Sequence, residues 1–189
     1  ATNLGLLHMQ ADEVPGIAPQ TDFSVARVSQ EFDNRSSLGF LLVSKEENGS
    51  IDGEPDHYNR TYSVDGQLGL GEDGLLSGFF AKTDTPGLNG DDTALHLAAA
   101  ADTQEWSYSA SFTEVGKNFN PEVGFLQRTD FQRGWLFALK RWRDPSWQHL
   151  LELRPHIAYR GYWGGDGLHE TGFLHIDNHW EWKSGFEIH

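Results

Sequence analysis

The sequence predicts an all-β fold, an antiparallel meander of about ten strands that forms part of an outer-membrane-type β-barrel. Three observations predict it. Between Asn59 and Leu70, Tyr62, Val64, Gly66, Leu68 and Leu70 fall on one parity, and Asn59, Thr61, Ser63, Asp65, Gln67 and Gly69 on the other. That strict period of two is a strand with one apolar and one polar face. Gly71-Glu72-Asp73-Gly74 then turns the chain into a second strand, Leu75–Thr83, so the building unit is a hairpin. Finally, Trp106, Tyr108, Ala110 and Phe112 alternate with Ser107, Ser109, Ser111 and Thr113. Buried hydroxyls need partners, so the second set makes a poor sandwich core and a good lumen wall.

Composition narrows the classes. The 189 residues suffice for one domain, read here as a single β-rich domain over 1–189. Lys and Arg number 14 against 28 Asp and Glu, a net charge of −14, the wrong sign for neutralising phosphates, which disfavours nucleic acid as a partner. The lack of cysteine excludes disulfides and thiolate metal sites and suits an exported bacterial protein. Twenty-one glycines, seven tryptophans and 13% aromatics agree with an all-β chain. No apolar run approaches the ~20 residues of a spanning helix. Low mean hydropathy leaves a barrel open, because barrel strands are only half apolar. No signal peptide is visible. Ala1 opens inside what reads as a strand end and His189 follows no turn, so the chain is expected to be an internal fragment of a larger barrel, with an N-terminal module and later strands missing.

In chain order, Leu4–Met9 reads as the tail of a strand, and Ala11–Gln20, with Pro15, Gly16 and Pro19, as a loop. Strands are expected at Asp22–Phe32, Leu38–Lys45, Tyr58–Leu70, Leu75–Thr83, Thr93–Ala101, Glu105–Val115, Asn120–Gln127, Gly134–Trp142, Gln148–Tyr159 and Thr171–His189, the last with a break at Gly185. Asp33–Ser36, Gly71–Gly74 and Asp102–Gln104 are short connections. Glu46–His57, Asp84–Asp92 and the Gly116 region are longer. Short turns at one end and long loops at the other are typical of outer-membrane barrels. Beyond Arg128 this regularity fails: Arg143–Ser146 is short and Gly161–Glu170 long.

Three blocks carry candidate chemistry. In Asn118–Asp130, Glu122, Arg128 and Asp130 share a strand parity with Asn118 and Asn120. They are read as a charged cluster on a lumen wall, either a salt-bridge network or a contact for a loop or solute. In the second block, Leu153-Arg154-Pro155-His156 is a strand bent at proline that runs into an aromatic loop, where Tyr162 and Trp163 could stack on a sugar face or anchor a loop at the membrane interface. In the third, His175, Asp177, His179 and Glu181 share one face, the right residue types for zinc. Strand neighbours two apart are separated by ~6.6 Å, too far for all of them to ligate one ion, so two of them would need a residue from another strand. Otherwise they are polar lumen wall. Acids and arginines at even spacing in these blocks should pair, and Arg128 and Arg154 are each expected beside a carboxylate. No nucleophile elbow, P-loop, dinucleotide fingerprint or His-Glu-x-x-His is present, so no catalytic residue and no cofactor is assigned.

These blocks, together with Gly5–Gln10 and Val25–Val28, resemble a bacterial domain-of-unknown-function family, family 5916. The Asn-Pro-Glu-Val-Gly-Phe and Asp-Asn-His-Trp-Glu-Trp motifs carry most of the likeness. The resemblance implies a β-barrel-like region that follows a module similar to family-nine carbohydrate-binding domains. It also implies a place in the bacterial outer membrane, with lipid as partner and a role in glycan or nutrient handling at the cell surface. It supplies no catalytic residues. The rival readings are a soluble β-sandwich that binds carbohydrate and a surface glycoside hydrolase, although no carboxylate pair stands out at a meaningful separation.

Overall fold

A computed structural model describes residues 1–49 and 57–189. Among these there is no helix. The elements are β1 (Thr2–Ala11), β2 (Gln20–Glu31), β3 (Ser37–Asn48), β4 (Tyr58–Leu70), β5 (Gly74–Asp84), β6 (Thr93–Asp102), β7 (Trp106–Val115), β8 (Phe131–Lys140), β9 (Leu150–Gly164), β10 (His169–Trp182) and β11 (Glu187–Ile188). They form one antiparallel sheet in sequence order, an eleven-stranded meander. It is one sheet, not two packed sheets, and it is not closed into a barrel: β1 pairs only with β2, and β11 only with β10. The connections 12–19, 85–92, 116–130 and 165–168 lie at one end, and 32–36, 71–73, 103–105, 141–149 and 183–186 at the other; most of the loop expected over Glu46–His57 lies outside the described residues.

Register carries each side chain across the sheet. Val43 pairs with Thr61, Thr61 with Thr83, Ser63 with Ala81, Ala81 with Ala94 and Ala94 with Val115. Ser107, Ser109 and Ser111 continue that face into β8 opposite Leu139, Phe137 and Trp135. The other face carries Phe40 opposite Val64, Val64 opposite Phe80 and Phe80 opposite Leu95, then Leu97 opposite Phe112. The expected sidedness therefore holds. Tyr62, Val64, Leu68, Leu70, Trp106, Tyr108 and Phe112 share the apolar face, while Thr61, Ser63, Asp65, Gln67, Ser107, Ser109 and Ser111 share the polar one. The apolar face is open along its length: Leu6 is 75% exposed, Leu136 58% and Ile176 71%. Aromatics lie along it, Tyr58 and Trp163 at one end, Trp180 and the stacked Trp106 and Tyr108 at the other, and Tyr62, Phe80 and Phe112 between.

The only buried apolar cluster among the described residues is small. Phe119 from the 116–130 connection packs on Ala81, Ala94 and Val115, with Leu126 and Phe131 beside it. It sits on the polar face at the long-connection end.

Across the same face, Arg27 on β2 reaches over β3 to Asp65 on β4, with Nη2 2.7 Å from Oδ1 and Nη1 on Oδ2. Gly39 on β3 makes the reach possible, because a side chain there would start 2.8 Å from the guanidinium carbon of Arg27.

Three expectations are corrected. Asn120–Gln127 is not a strand: it belongs to the 116–130 connection, which folds back over the sheet. Glu122, Arg128 and Asp130 therefore share no strand parity. β9 runs unbroken through Pro155 to Gly164, so Tyr162 and Trp163 are strand residues and 165–168 is a tight turn. Proline is tolerated because the ladder to β8 ends at Leu139 and His156, one residue short of Pro155, so its missing donor falls where no partner waits. In the same way 141–149, expected to be short, is the longest connection at its end. The break at Gly185 is as expected, with a φ of 82° in the turn between β10 and β11.

Gly39→Val should displace Arg27 and break its pair with Asp65. Combined with Asp65→Asn it should cost less than the sum of the two single changes, by ~0.5 kcal/mol or more. Urea unfolding of the four proteins measures this, and strict additivity would deny the link.

Candidate functional site

The polar face carries two groups of site residues at the long-connection end and a third lower down.

The first group pins the 116–130 connection. Asn59 and Thr83 are each 1% exposed. The Asn59 amide donates to the Asn120 carbonyl at 2.6 Å and to Thr85 Oγ1 at 2.7 Å, and its oxygen accepts from the Glu122 N–H at 3.2 Å. Thr83 Oγ1 accepts from the Asn120 N–H at 3.1 Å. Two side chains thus serve the backbone groups that a neighbouring strand would otherwise satisfy. The Glu122 carboxylate then meets Lys45 Nζ at 3.0 Å and His57 Nε2 at 2.9 Å, and the Asn120 amide at 3.2 Å. Burial pushes the Glu122 carboxyl up, but the hydrogen bonds from Lys45 and His57 outweigh it and hold the carboxyl below the usual range.

The second group lies around β8–β10. Arg128 pairs with Glu170 and sits 5.4 Å from the Phe131 ring centroid. Asp130 adopts a positive φ of 60°, and its carbonyl accepts from the Gly165 N–H at 3.2 Å. The Tyr162 ring lies 6.3 Å from that of Phe131 on the polar face. Trp163 points the other way, over Gly134 and Gly161 on the apolar face. Tyr162 and Trp163 therefore do not build one stacking platform.

The six binding candidates that the first two blocks offer are thus divided. Asn120 and Glu122 sit over β3–β5, Arg128, Asp130 and Tyr162 near β8–β10, and Trp163 on the opposite face. Arg128 does lie beside a carboxylate, but its partner is Glu170 rather than Glu122 or Asp130. Arg154 also does, reaching Glu152, Glu181 and Glu187. Lys45, which sequence alone places at a loop edge, is a partner of Glu122.

The third group gathers histidines around an aspartate. His175, Asp177 and His179 project from β10 on the polar face, and His156 of β9 stands among them, 5.1 Å centroid to centroid from both His175 and His179. Reading the sequence alone gave no site role to His156, although it stands in the second block, nor to Asn59 and Thr83, since each acquires its role from register.

The chain matches no family model, no curated protein and no solved structure.

Glu122's lowered carboxyl stabilises the docked connection fully above the ordinary carboxylate value, and this contribution is lost as pH falls through the lowered value. A dye on Phe125→Cys, at a tip that is 92% exposed, should report low mobility at about pH 7 and freer motion at about pH 3. Glu122→Gln should remove that pH response. Asn59→Ala should loosen the connection at both pH values, because it orphans backbone groups at ~1–3 kcal/mol. Dye anisotropy decides, and a response unchanged by Glu122→Gln would break the account.

Proposed function

We propose that this chain forms part of the wall of a β-barrel in the bacterial outer membrane. Its apolar face would meet lipid and its polar face would line a lumen. The observation that carries this is the continuous exposed apolar face, running from Leu6 on β1 to Ile176 on β10 with aromatics at both ends. β1 to β10 are 10 to 15 residues long, enough for the ~9–11 residues of a tilted spanning strand. Connection lengths support the reading at first, short at one end and long at the other, until 141–149 reverses the pattern. β1, and β10 beyond its two-residue pairing with β11, leave backbone donors and acceptors unpaired, so further strands would close the sheet in the membrane. The family resemblance supplies the role, glycan or nutrient handling at the cell surface. In this setting the 116–130 connection narrows one mouth of the lumen, held by Asn59 and Glu122.

The reading predicts detergent dependence. Purified protein should aggregate when detergent is removed and should enter lipid vesicles. Val64→Arg, in the middle of the apolar face, should cost ~2–4 kcal/mol of folding in lipid, while Ser63→Arg, one residue away on the polar face, should cost little. A soluble, monodisperse protein with cooperative melting, indifferent to which of the two positions carries arginine, would refute it.

A further inference from the structure

The polar face holds a set of ligands that the wall reading does not use. In register, His156 pairs with Asp177 and Ala158 with His175, so two side chains of β10 converge on one of β9. His156 Nε2 and His175 Nε2 are 3.2 Å apart. Two imidazoles on one tetrahedral zinc, each at ~2.05 Å, place their nitrogens ~3.3 Å apart. Asp177 Oδ2 is 3.9 Å from His175 Nε2, and one ligand atom from each of the three residues lies within 4.8 Å of the others. The second ring nitrogen of His156, Nδ1, lies 3.3 Å from the Arg154 carbonyl. A proton on Nδ1 donates there and leaves Nε2 with a free lone pair aimed at His175, the outer arrangement that orients a metal-bound histidine. Arg154 does not repel a cation here, since its charge is taken up by Glu152, Glu181 and Glu187.

We propose that His156, His175 and Asp177 bind a divalent transition-metal ion of the zinc type, with the fourth position open to water or a solute ligand. Two imidazoles and one carboxylate select such ions over calcium and magnesium, which take oxygen ligands. The third ligand that β10 cannot provide from its own spacing comes from β9. His179 stays outside the site. Its Nε2 is 3.6 Å from Asp177 Oδ2, but its Nδ1 turns to His189 at 2.8 Å, in a second, more exposed group with Glu187. The proposal does not depend on lipid contact at the other face.

The test uses the full chain, purified in detergent without a polyhistidine tag and stripped with a chelator. Cobalt(II) and then zinc(II) are titrated in. One equivalent of cobalt should bind with the intense visible absorption of a tetrahedral site, and zinc should displace it. His156→Ala and His175→Ala should each weaken zinc binding by at least the ~10-fold that loss of even an outer partner costs. His189→Ala should leave it unchanged. His156→Gln, which keeps a polar side chain, serves if the alanine variant does not fold, with folding judged by the metal-free circular dichroism spectrum. No stoichiometric binding by the wild type, or binding lost in His189→Ala but kept in His156→Gln, would overturn the site.

Discussion

One sheet with two unlike faces governs everything else in this molecule. A soluble protein of 21.2 kDa exposes about 9,000 Å², whereas this chain exposes 12251 Å². No second layer covers the sheet, and many large apolar side chains are left exposed, Leu6, Leu136 and Ile176 among them. The described residues bury only one small apolar cluster, around Phe119, and it lies on the polar side. Covering that apolar face with something other than water would lower the free energy of such a sheet. Backbone pairing does not conflict with that, since interior strands satisfy their donors and acceptors on both sides and only the edges are left open.

The polar face is organised by pairs that cross strands. Arg27 spans β3 to Asp65, Arg154 gathers three carboxylates, and Arg128 takes Glu170. Each pair lies on the polar face; Arg27 ties two strands that are not neighbours, Arg154 ties β9 to β10 and β11, and Arg128 ties the 116–130 connection to β10. The 116–130 connection is held by the same logic with neutral groups, since Asn59 offers both an amide donor and an oxygen acceptor to its backbone. The rigid frame that results keeps His156 and His175 at a spacing that suits an ion, because register rather than flexible loops sets the distance.

Much of this was legible in the residues. Period-two alternation is a direct consequence of strand geometry, so the faces of β4 and β7 could be assigned residue by residue. Gly185 marked a turn that needs a positive φ. What alternation could not show is whether a polar alternating segment is a strand at all. Asn118, Asn120 and Glu122 repeat every second residue, yet the segment is a connection: Asn118 bonds to Asn89, Gly90 and Asp91, and Asn120 and Glu122 to Asn59 and Thr83. Pro155 signalled a break that the strand does not make, because its ladder neighbour has already ended. Partners were hidden for the same reason. Glu170 for Arg128, Lys45 for Glu122 and His156 for His175 all depend on which strands adjoin and in what register, and a single strand's pattern contains neither.

The central claim is that the two faces of the sheet meet different solvents. Single nitroxide labels at residues 62 to 68 of β4, placed in a chain with no native cysteine and reconstituted in bilayers, test it most directly. Collision with oxygen should peak at 62, 64 and 68, and collision with a water-soluble nickel complex at 63, 65 and 67, in opposite phase. Equal access of the nickel complex to both parities, with no alternation, would contradict the account.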